Sequence, residues 1–328
     1  MSLPVWLPTD AGDDDPFLAH LRRALDDDVE LLAADTLRDG FAPRVLVRGV
    51  PDAAMLEACP DLSHLLIPYA GLPKQTAALM GEHPGVAVHN LHHNAAPTAE
   101  MAVALLMACA KEVIPHDREL RAGDWSRRYG EATTATLSGG HALVLGYGAI
   151  GQRVAHVLQA LGMRVTAVRR SAVEGDRHGM IALAPPTALG SLLRTADAVM
   201  VCLPWTDETD GILDASMIRQ MAPSAYLVNV GRGALVDEDA LYEALAEGRI
   251  AGAGLDVWYR YPKEAHERSF TLPSERPFHE LDNVVLSPHR GGKTRQNEEA
   301  RARGVARTLR AIARDEPVPH RVVLDRGY

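Results

Sequence analysis

The segment Leu143–Val144–Leu145–Gly146–Tyr147–Gly148–Ala149–Ile150–Gly151 constrains the fold more than any other stretch of the chain. An apolar run, a G-x-G-x-x-G spacing and an Ala/Leu-rich continuation spell strand, tight turn and helix. Each glycine has a task in such a turn. Gly146 makes the tight bend, Gly148 lets backbone N–H groups approach a pyrophosphate, and Gly151 allows the helix to pack closely on the strand. Ala149 and Ile150 complete the phosphate-binding loop. The glycine spacing by itself is common. With a strand before it, a helix after it and a second strand about twenty residues on, it specifies a dinucleotide-binding βαβ unit.

The rest of the chain reads as the same class. Short β-branched runs alternate with helical stretches along nearly all 328 residues, the mark of an α/β protein with doubly wound parallel sheets. In the first part, strands are expected at Val5–Leu7, Val29–Leu32, Val45–Val47, Leu65–Ile67 and Val86–His89. Phe17–Leu25 and Ala53–Ala58 serve as crossovers, and a long helix follows with Thr98 as its N-cap. A second series runs through His141–Leu145, Met163–Val168, Ala198–Leu203, Ala225–Val230, Ile250–Val257 and Asn283–Ser287, with helices such as Gly151–Leu161 and Glu238–Ala246 between them. A last helix, Thr294 to Arg314, and a strand-like tail, Arg321–Leu324, are too small for a third domain and are expected to return to the first. The expected division is 1–115 plus 293–328 for an outer, substrate domain and 116–292 for the dinucleotide-binding domain.

Composition excludes several partners. The formal net charge of −9 leaves no surplus of Lys and Arg to neutralise phosphates, which argues against nucleic acid and anionic membranes. The longest apolar run, Met101–Ala110, is half of the ~20 residues that span a bilayer. Met1–Pro8 lacks the basic start of a signal peptide. Cys59, Cys109 and Cys202 are odd in number and widely spaced, as reduced thiols are, so a soluble, cytoplasmic protein is expected. The aspartates at 13–15 and 26–28 read as solvated surface. In His89–Asn90–Leu91–His92–His93–Asn94, adjacent histidines without a Cys or carboxylate at ligand spacing make no metal site. Polar contacts to substrate or nicotinamide are the expected role of that segment.

In an open α/β sheet, ligands sit beyond the carboxyl ends of the strands. Val168–Arg169–Arg170–Ser171 stands where an NAD site carries an acid for the ribose 2′-hydroxyl. Two guanidiniums suit a 2′-phosphate, which favours NADP over NAD, although both also fit as exposed strand-end charges. Leu203–Pro204, Asn229–Val230–Gly231–Arg232–Gly233, Asp256 and Ser287–Pro288–His289–Arg290–Gly291–Gly292 follow or close the later strands. Leu203, Pro204, Thr209, Val230, Gly231, Asp256 and Gly291 therefore join the loop glycines as candidate cofactor contacts. Arg232 suits a bidentate grip on a carboxylate, and His289 suits proton transfer as a hydride moves.

Taken together, Gly146–Tyr147–Gly148–Ala149–Ile150–Gly151, Val228–Asn229–Val230–Gly231–Arg232–Gly233–Ala234–Leu235–Val236–Asp237, Gly252–Ala253–Gly254–Leu255–Asp256–Val257 and Ser287–Pro288–His289 resemble the D-isomer-specific 2-hydroxyacid dehydrogenase family. The likeness runs from about Leu65 to the C-terminus. It implies two flavodoxin/Rossmann-like lobes, the outer one discontinuous, and a homodimer built around the cofactor lobe. It also implies NAD(P)-dependent hydride transfer between a 2-oxoacid and a 2-hydroxyacid. By the same resemblance Arg232 binds the substrate carboxylate and carbonyl, His289 is the acid/base, and Asp256 lies near the nicotinamide amide. Tyr69, Ala70 and Gly71 match the turn whose backbone donors hold the substrate carboxylate.

One position departs from the pattern. The family pairs its catalytic His with a Glu five residues after the Asp of G-L-D-V, just before a Pro; here Tyr261 stands there, followed by Pro262. A phenol can orient an imidazole but brings no charge to favour the imidazolium. Three readings follow: a working enzyme with a lower pH preference, a pocket reshaped for a phosphonate-bearing or bulky oxoacid, or a dinucleotide sensor without turnover. The first two are preferred, because a pure sensor has no need of Arg232 and His289.

Overall fold

The computed structural model describes residues 2–9 and 15–327. The chain forms two compact units, Met1–Asn94 with Lys293–Tyr328, and Ala95–Gly292.

The first unit carries β1 (Leu3–Leu7), β2 (Val29–Ala33), β3 (Val45–Val47), β4 (His64–Leu66) and β5 (Ala87–His89). They form one parallel sheet in the order β2-β1-β3-β4-β5. Alternate residues of a strand face opposite sides, and here both sides are covered. Val5, Val45, Val47 and Leu66 pack against Leu18 and Leu21 of helix Pro16–Ala24 and against Val305 and Leu309 of helix Asn297–Ala313. Trp6, Leu46, Leu65 and Ile67 face the other way, onto Leu56 and Met80. The long C-terminal helix is also tied down by charge. Arg310 Nε lies 2.7 Å from Asp26 and Arg314 Nε 2.9 Å from Asp28. The second aspartate run is thus an anchor for that helix as well as solvated surface. Of the first run, Asp15 caps helix Pro16–Ala24 by accepting from the Leu18 N–H at 2.9 Å, while Asp13 and Asp14 lie outside the described residues.

The second unit is built on β6 (His141–Leu145), β7 (Arg164–Val168), β8 (Arg177–His178), β9 (Ile181–Ala184), β10 (Ala198–Val201), β11 (Tyr226–Asn229), β12 (Gly252–Leu255) and β13 (Val284–Leu286). Their order is β13-β12-β11-β10-β6-β7-β9-β8, parallel throughout except for the antiparallel pair β8/β9. β6, β10, β11 and β12 are buried along their whole length, as expected of parallel strands covered on both faces. The strand order reverses between β6 and β10, the crevice at which such sheets bind dinucleotides.

Several expectations need correction. The boundary expected at 115/116 falls at 94/95, because helix Ala95–Ala110 belongs to the second unit. Leu105 of that helix lies so close to Gly254 of β12 that a Cβ there would stand 2.7 Å from the Leu105 Cβ. Thr98 does not cap the helix; it is buried within the first turn. Pro97 is tolerated beside it because the first-turn N–H groups have no intrahelical partner. The hairpin β8/β9 has no signal in the sequence pattern, since its strands are short and its turn depends on Gly179 at φ 61°. The tail is not a strand: Arg321 makes an isolated bridge to His89, and Leu324–Arg326 turns into a 3₁₀ helix.

Histidines gather beside this tail. His64 stacks on His89 at 5.5 Å, His92 meets His320 edge-on at 4.6 Å, and His89 Nδ1 lies 3.0 Å from Pro319 O. Burial, followed by the charges of His89, Arg44 and Arg321, pushes His64 down to about 4; burial, His320 and His93 do the same to His92. In the unfolded chain both rings take a proton below about pH 6.5. Their contribution to stability is therefore complete above that pH and is lost as pH falls toward 4. Urea unfolding followed by circular dichroism should show a loss on the order of 1–3 kcal/mol per ring between pH 7 and 4.5. His64→Gln should flatten that slope.

Candidate active site

Three loops at the carboxyl ends of β11, β12 and β13 carry the polar groups. After β11, the buried Asn229 clamps a turn: its Oδ1 accepts the Gly231 N–H at 3.0 Å, and its Nδ2 donates to Arg232 O at 2.9 Å. Arg232 is thereby held extended, at φ −145° and ψ 151°, with its side chain exposed and Nη1 donating to Gly231 O at 2.7 Å. Gly233 lies against the main chain of Trp258, where a Cβ would collide with the Trp258 carbonyl.

Asp256 closes β12 and is only 2% exposed. Its carboxylate accepts from Ser287 Oγ, from the Arg290 N–H at 2.8 Å and from the Gly291 N–H at 2.9 Å. These bonds fold the loop after β13 back on itself. His289, on that loop, takes a left-handed backbone at φ 55°, a conformation non-glycine residues hold only where their surroundings impose it. The His289 N–H donates to Ser287 O at 3.0 Å, and the Trp258 indole N–H donates to the same carbonyl at 2.7 Å.

Tyr261 meets His289 from the loop after β12. Its Oη accepts the Trp258 N–H at 3.0 Å and lies 3.0 Å from His289 Nδ1. Burial pushes the phenol's pKa up, opposed by the Trp258 N–H and the Arg232 charge and assisted by Asp256. Arg232, Tyr261 and His289 therefore share one end of the sheet. The sequence suggests this trio and names Asp256, but it misses two of the residues that hold the trio in place. Asn229 and Ser287 lie within the quoted motifs, and Asn two positions before a Gly is the available signal, since an Asn side chain readily closes such a turn.

The dinucleotide loop has the shape its glycines predict. Gly146 sits at φ 93° and its N–H donates to Val168 O at 3.1 Å. A Cβ on Gly151 would run into Gly146 O, whereas the space beside Gly148 is open. Gly148 is the N-cap of helix Ala149–Ala160 and supplies no side chain to cap it, so the N–H groups of that first turn face an open cradle suited to pyrophosphate. Around it, Leu203 O lies 2.7 Å from where a Gly231 Cβ would stand, and Thr209 Oγ1 donates to Pro204 O at 2.7 Å, closing the loop after β10. Val230 is buried beside them, and Gly291 packs on Asp256. The two arginines differ. Arg170 pairs with Glu208 at 3.0 Å, whereas the Arg169 main-chain N–H bonds Ala184 O and its side chain is exposed.

In the first unit, the Tyr69–Gly71 loop is pinned by its carbonyls. Asn90 Nδ2 donates to Ala70 O at 2.9 Å and the Leu91 N–H to Tyr69 O at 3.1 Å. Among the described residues, the N–H groups of Ala70 and Gly71 form no hydrogen bond. Asn90 and His89, expected to offer contacts to a ligand, are instead buried inside this unit, bonded to Ala70 and Pro319.

The comparisons agree on a family. The profile of the D-isomer-specific 2-hydroxyacid dehydrogenase NAD-binding domain matches residues 103–291. The glyoxylate reductase of Thermococcus onnurineus is 34% identical over 284 residues, covering 82% of this chain and 78% of that protein. That of Korarchaeum cryptofilum is 33% identical over 283 residues, covering 83% and 79%. A D-isomer-specific 2-hydroxyacid dehydrogenase from Xanthobacter autotrophicus, crystallised with NADPH and MES, has the same fold at a TM-score of 0.79, with 24% identity and full coverage of both chains. The chain belongs to the D-isomer-specific 2-hydroxyacid dehydrogenase family. It is a nicotinamide-dinucleotide-dependent oxidoreductase that moves hydride between a 2-oxoacid and a 2-hydroxyacid. Among the described residues no helix is long and apolar enough to cross a membrane.

Proposed function

We propose that the protein is an NADPH-dependent 2-oxoacid reductase in which Arg232 binds the substrate carboxylate and polarises its carbonyl, while His289 delivers the proton. The N–H groups of Ala70 and Gly71, with Tyr69 beside them, are the further donors to that carboxylate. The bound nicotinamide supplies the hydride. Gly146, Gly148, Ala149, Ile150 and Gly151 hold its pyrophosphate; Leu203, Pro204, Thr209, Val230, Gly231, Asp256 and Gly291 line its path toward the reacting end. Arg169 takes the 2′-phosphate, with Arg170 beside it in its pair with Glu208. Glyoxylate, the substrate in the names of the relatives, is the smallest probe of this activity.

The observation that carries this reading is the 3.0 Å contact between Tyr261 Oη and His289 Nδ1. The phenol serves both charge states of the ring. Once Nε2 has given up its proton, the neutral ring keeps the other proton on Nδ1, which goes on donating to Tyr261 Oη. When the ring is charged, Nδ1–H donates to Oη, whose other lone pair receives the Trp258 N–H. Tyr261 thus does the orienting part of a glutamate's work without its charge.

The reading extends to assembly. Val113, Ile114 and Leu120 of helix Val113–Arg121, Trp125 at the N-cap of the next helix and Tyr129 at the end of that helix, Ser126–Tyr129, are exposed, and Tyr129 is 83% exposed. An apolar face of this kind on a water-soluble surface fits a subunit interface, and a homodimer is the simplest closed assembly.

Three measurements test these roles. A carboxylate in place of the phenol favours the imidazolium, so Tyr261→Glu should move the alkaline limb of log kcat/KM for glyoxylate reduction upward by roughly one pH unit or more. An unchanged profile removes Tyr261 from proton transfer. Arg169→Asp should weaken NADPH by about 10- to 100-fold and spare NADH, as read by fluorescence titration; equal effects on both overturn the NADP preference. Light scattering should give about twice the chain's 35.5 kDa, and Leu120→Asp should shift the mass toward one chain.

A further inference from the structure

The sheet order of the first unit opens a crevice between β1 and β3, because the chain leaves these two strands toward opposite sides. A cavity of about 380 Å³ lies there, within the size range of small-molecule sites. Pro8 lines it after β1, Arg48 after β3 and Tyr69 after β4; Asp15, Phe17 and Arg301 complete the wall. The cavity therefore adjoins the Tyr69–Gly71 loop and shares Tyr69 with it.

Of the charged side chains in this wall, two are already engaged. Asp15 caps its helix through the Leu18 N–H. Arg301 pairs with Glu298 at 2.6 Å and lies 4.0 Å over the Phe17 ring. Arg48 differs. Its bonds run to the carbonyls of Pro8 and Val50, each at 3.4 Å, the outer limit of a hydrogen bond. Among the described residues it makes no ion pair. Its charge is felt by the Tyr69 hydroxyl. Gly49, next along the chain, keeps that arrangement open, since any Cβ there would strike the Tyr69 ring. A guanidinium fork without a carboxylate partner, in a cavity beside the carboxylate-binding loop, is suited to a planar oxyanion. Glyoxylate has no second charge to place against it.

We propose that this cavity receives the far end of the substrate and that Arg48 binds a second anionic group there, a carboxylate or a phosphate ester. The preferred substrate is then an acidic 2-oxoacid, and Arg48 is the residue that selects it. The proposal rests on the reading that the Tyr69–Gly71 loop takes the carboxylate next to the reacting carbonyl.

Wild type and Arg48→Gln are compared with NADPH and four probes: glyoxylate, 2-oxohexanoate, 2-oxoglutarate and 3-phosphooxy-2-oxopropanoate. Wild type should prefer one of the two doubly acidic probes over 2-oxohexanoate by about tenfold or more in kcat/KM, and the better of the two identifies carboxylate or phosphate. Arg48→Gln should abolish that preference and change glyoxylate turnover less than about threefold, with Arg48→Lys between them. A preference for 2-oxohexanoate, or an equal loss on all four probes, overturns the assignment. If wild type turns over no oxoacid, the hydride-transfer reading fails separately, and calorimetric titration of the two acidic probes decides the subsite. Binding that is lost in Arg48→Gln sustains it, and absence of binding overturns it. Thermal unfolding of each variant confirms that the fold is intact.

Discussion

The arrangement of reactive groups depends on one buried carboxylate. Asp256 receives a hydroxyl and two main-chain N–H groups at the end of β12, which satisfies a charge that would otherwise be costly to bury. Those bonds fix the loop after β13, and the loop in turn imposes the left-handed backbone of His289. Asn229 does the equivalent work at the end of β11, where its amide holds the turn that presents Arg232. Both clamps are rooted in strands buried along their whole length, so the reactive side chains inherit the rigidity of the sheet.

Against that rigid frame, the phenol at 261 is a chemical change more than a geometric one. It reaches the imidazole at hydrogen-bond distance and is itself steadied by the Trp258 N–H. What it withholds is negative charge. A carboxylate at 3 Å favours a charged ring; a phenol orients the ring while leaving its charge to pH and to the other groups nearby. The dinucleotide cradle is built from different residues, so this departure leaves it untouched.

The first unit is held together by other means. Its long C-terminal helix comes from the far end of the chain and is secured by an apolar stripe and by arginine pairs to Asp26 and Asp28. The tail that follows is laid against β5, where Arg321 bridges the buried His89 and His320 meets His92 edge-on. The β1/β3 crevice lies in the same unit, and among the described residues Arg48 stands in it with weak bonds to backbone carbonyls.

Much of this was legible in the chain alone, for a physical reason. Strand, glycine turn and helix are local events, set by residues a few positions apart, so Gly146–Gly151, the principal strands and the polar residues at their ends could be read directly. The Tyr261 substitution was legible too, because it is a matter of spacing from Asp256. Tertiary structure decided what depends on distant partners. Helix Ala95–Ala110 joined the second unit because Leu105 fits against Gly254. Arg170 differs from Arg169 because Glu208 reaches it, and Asn90 turned inward because the Ala70 carbonyl needed a donor. Such pairings are chosen by packing and by the cost of burying an unbonded polar group, and neither is written in any local run of residues.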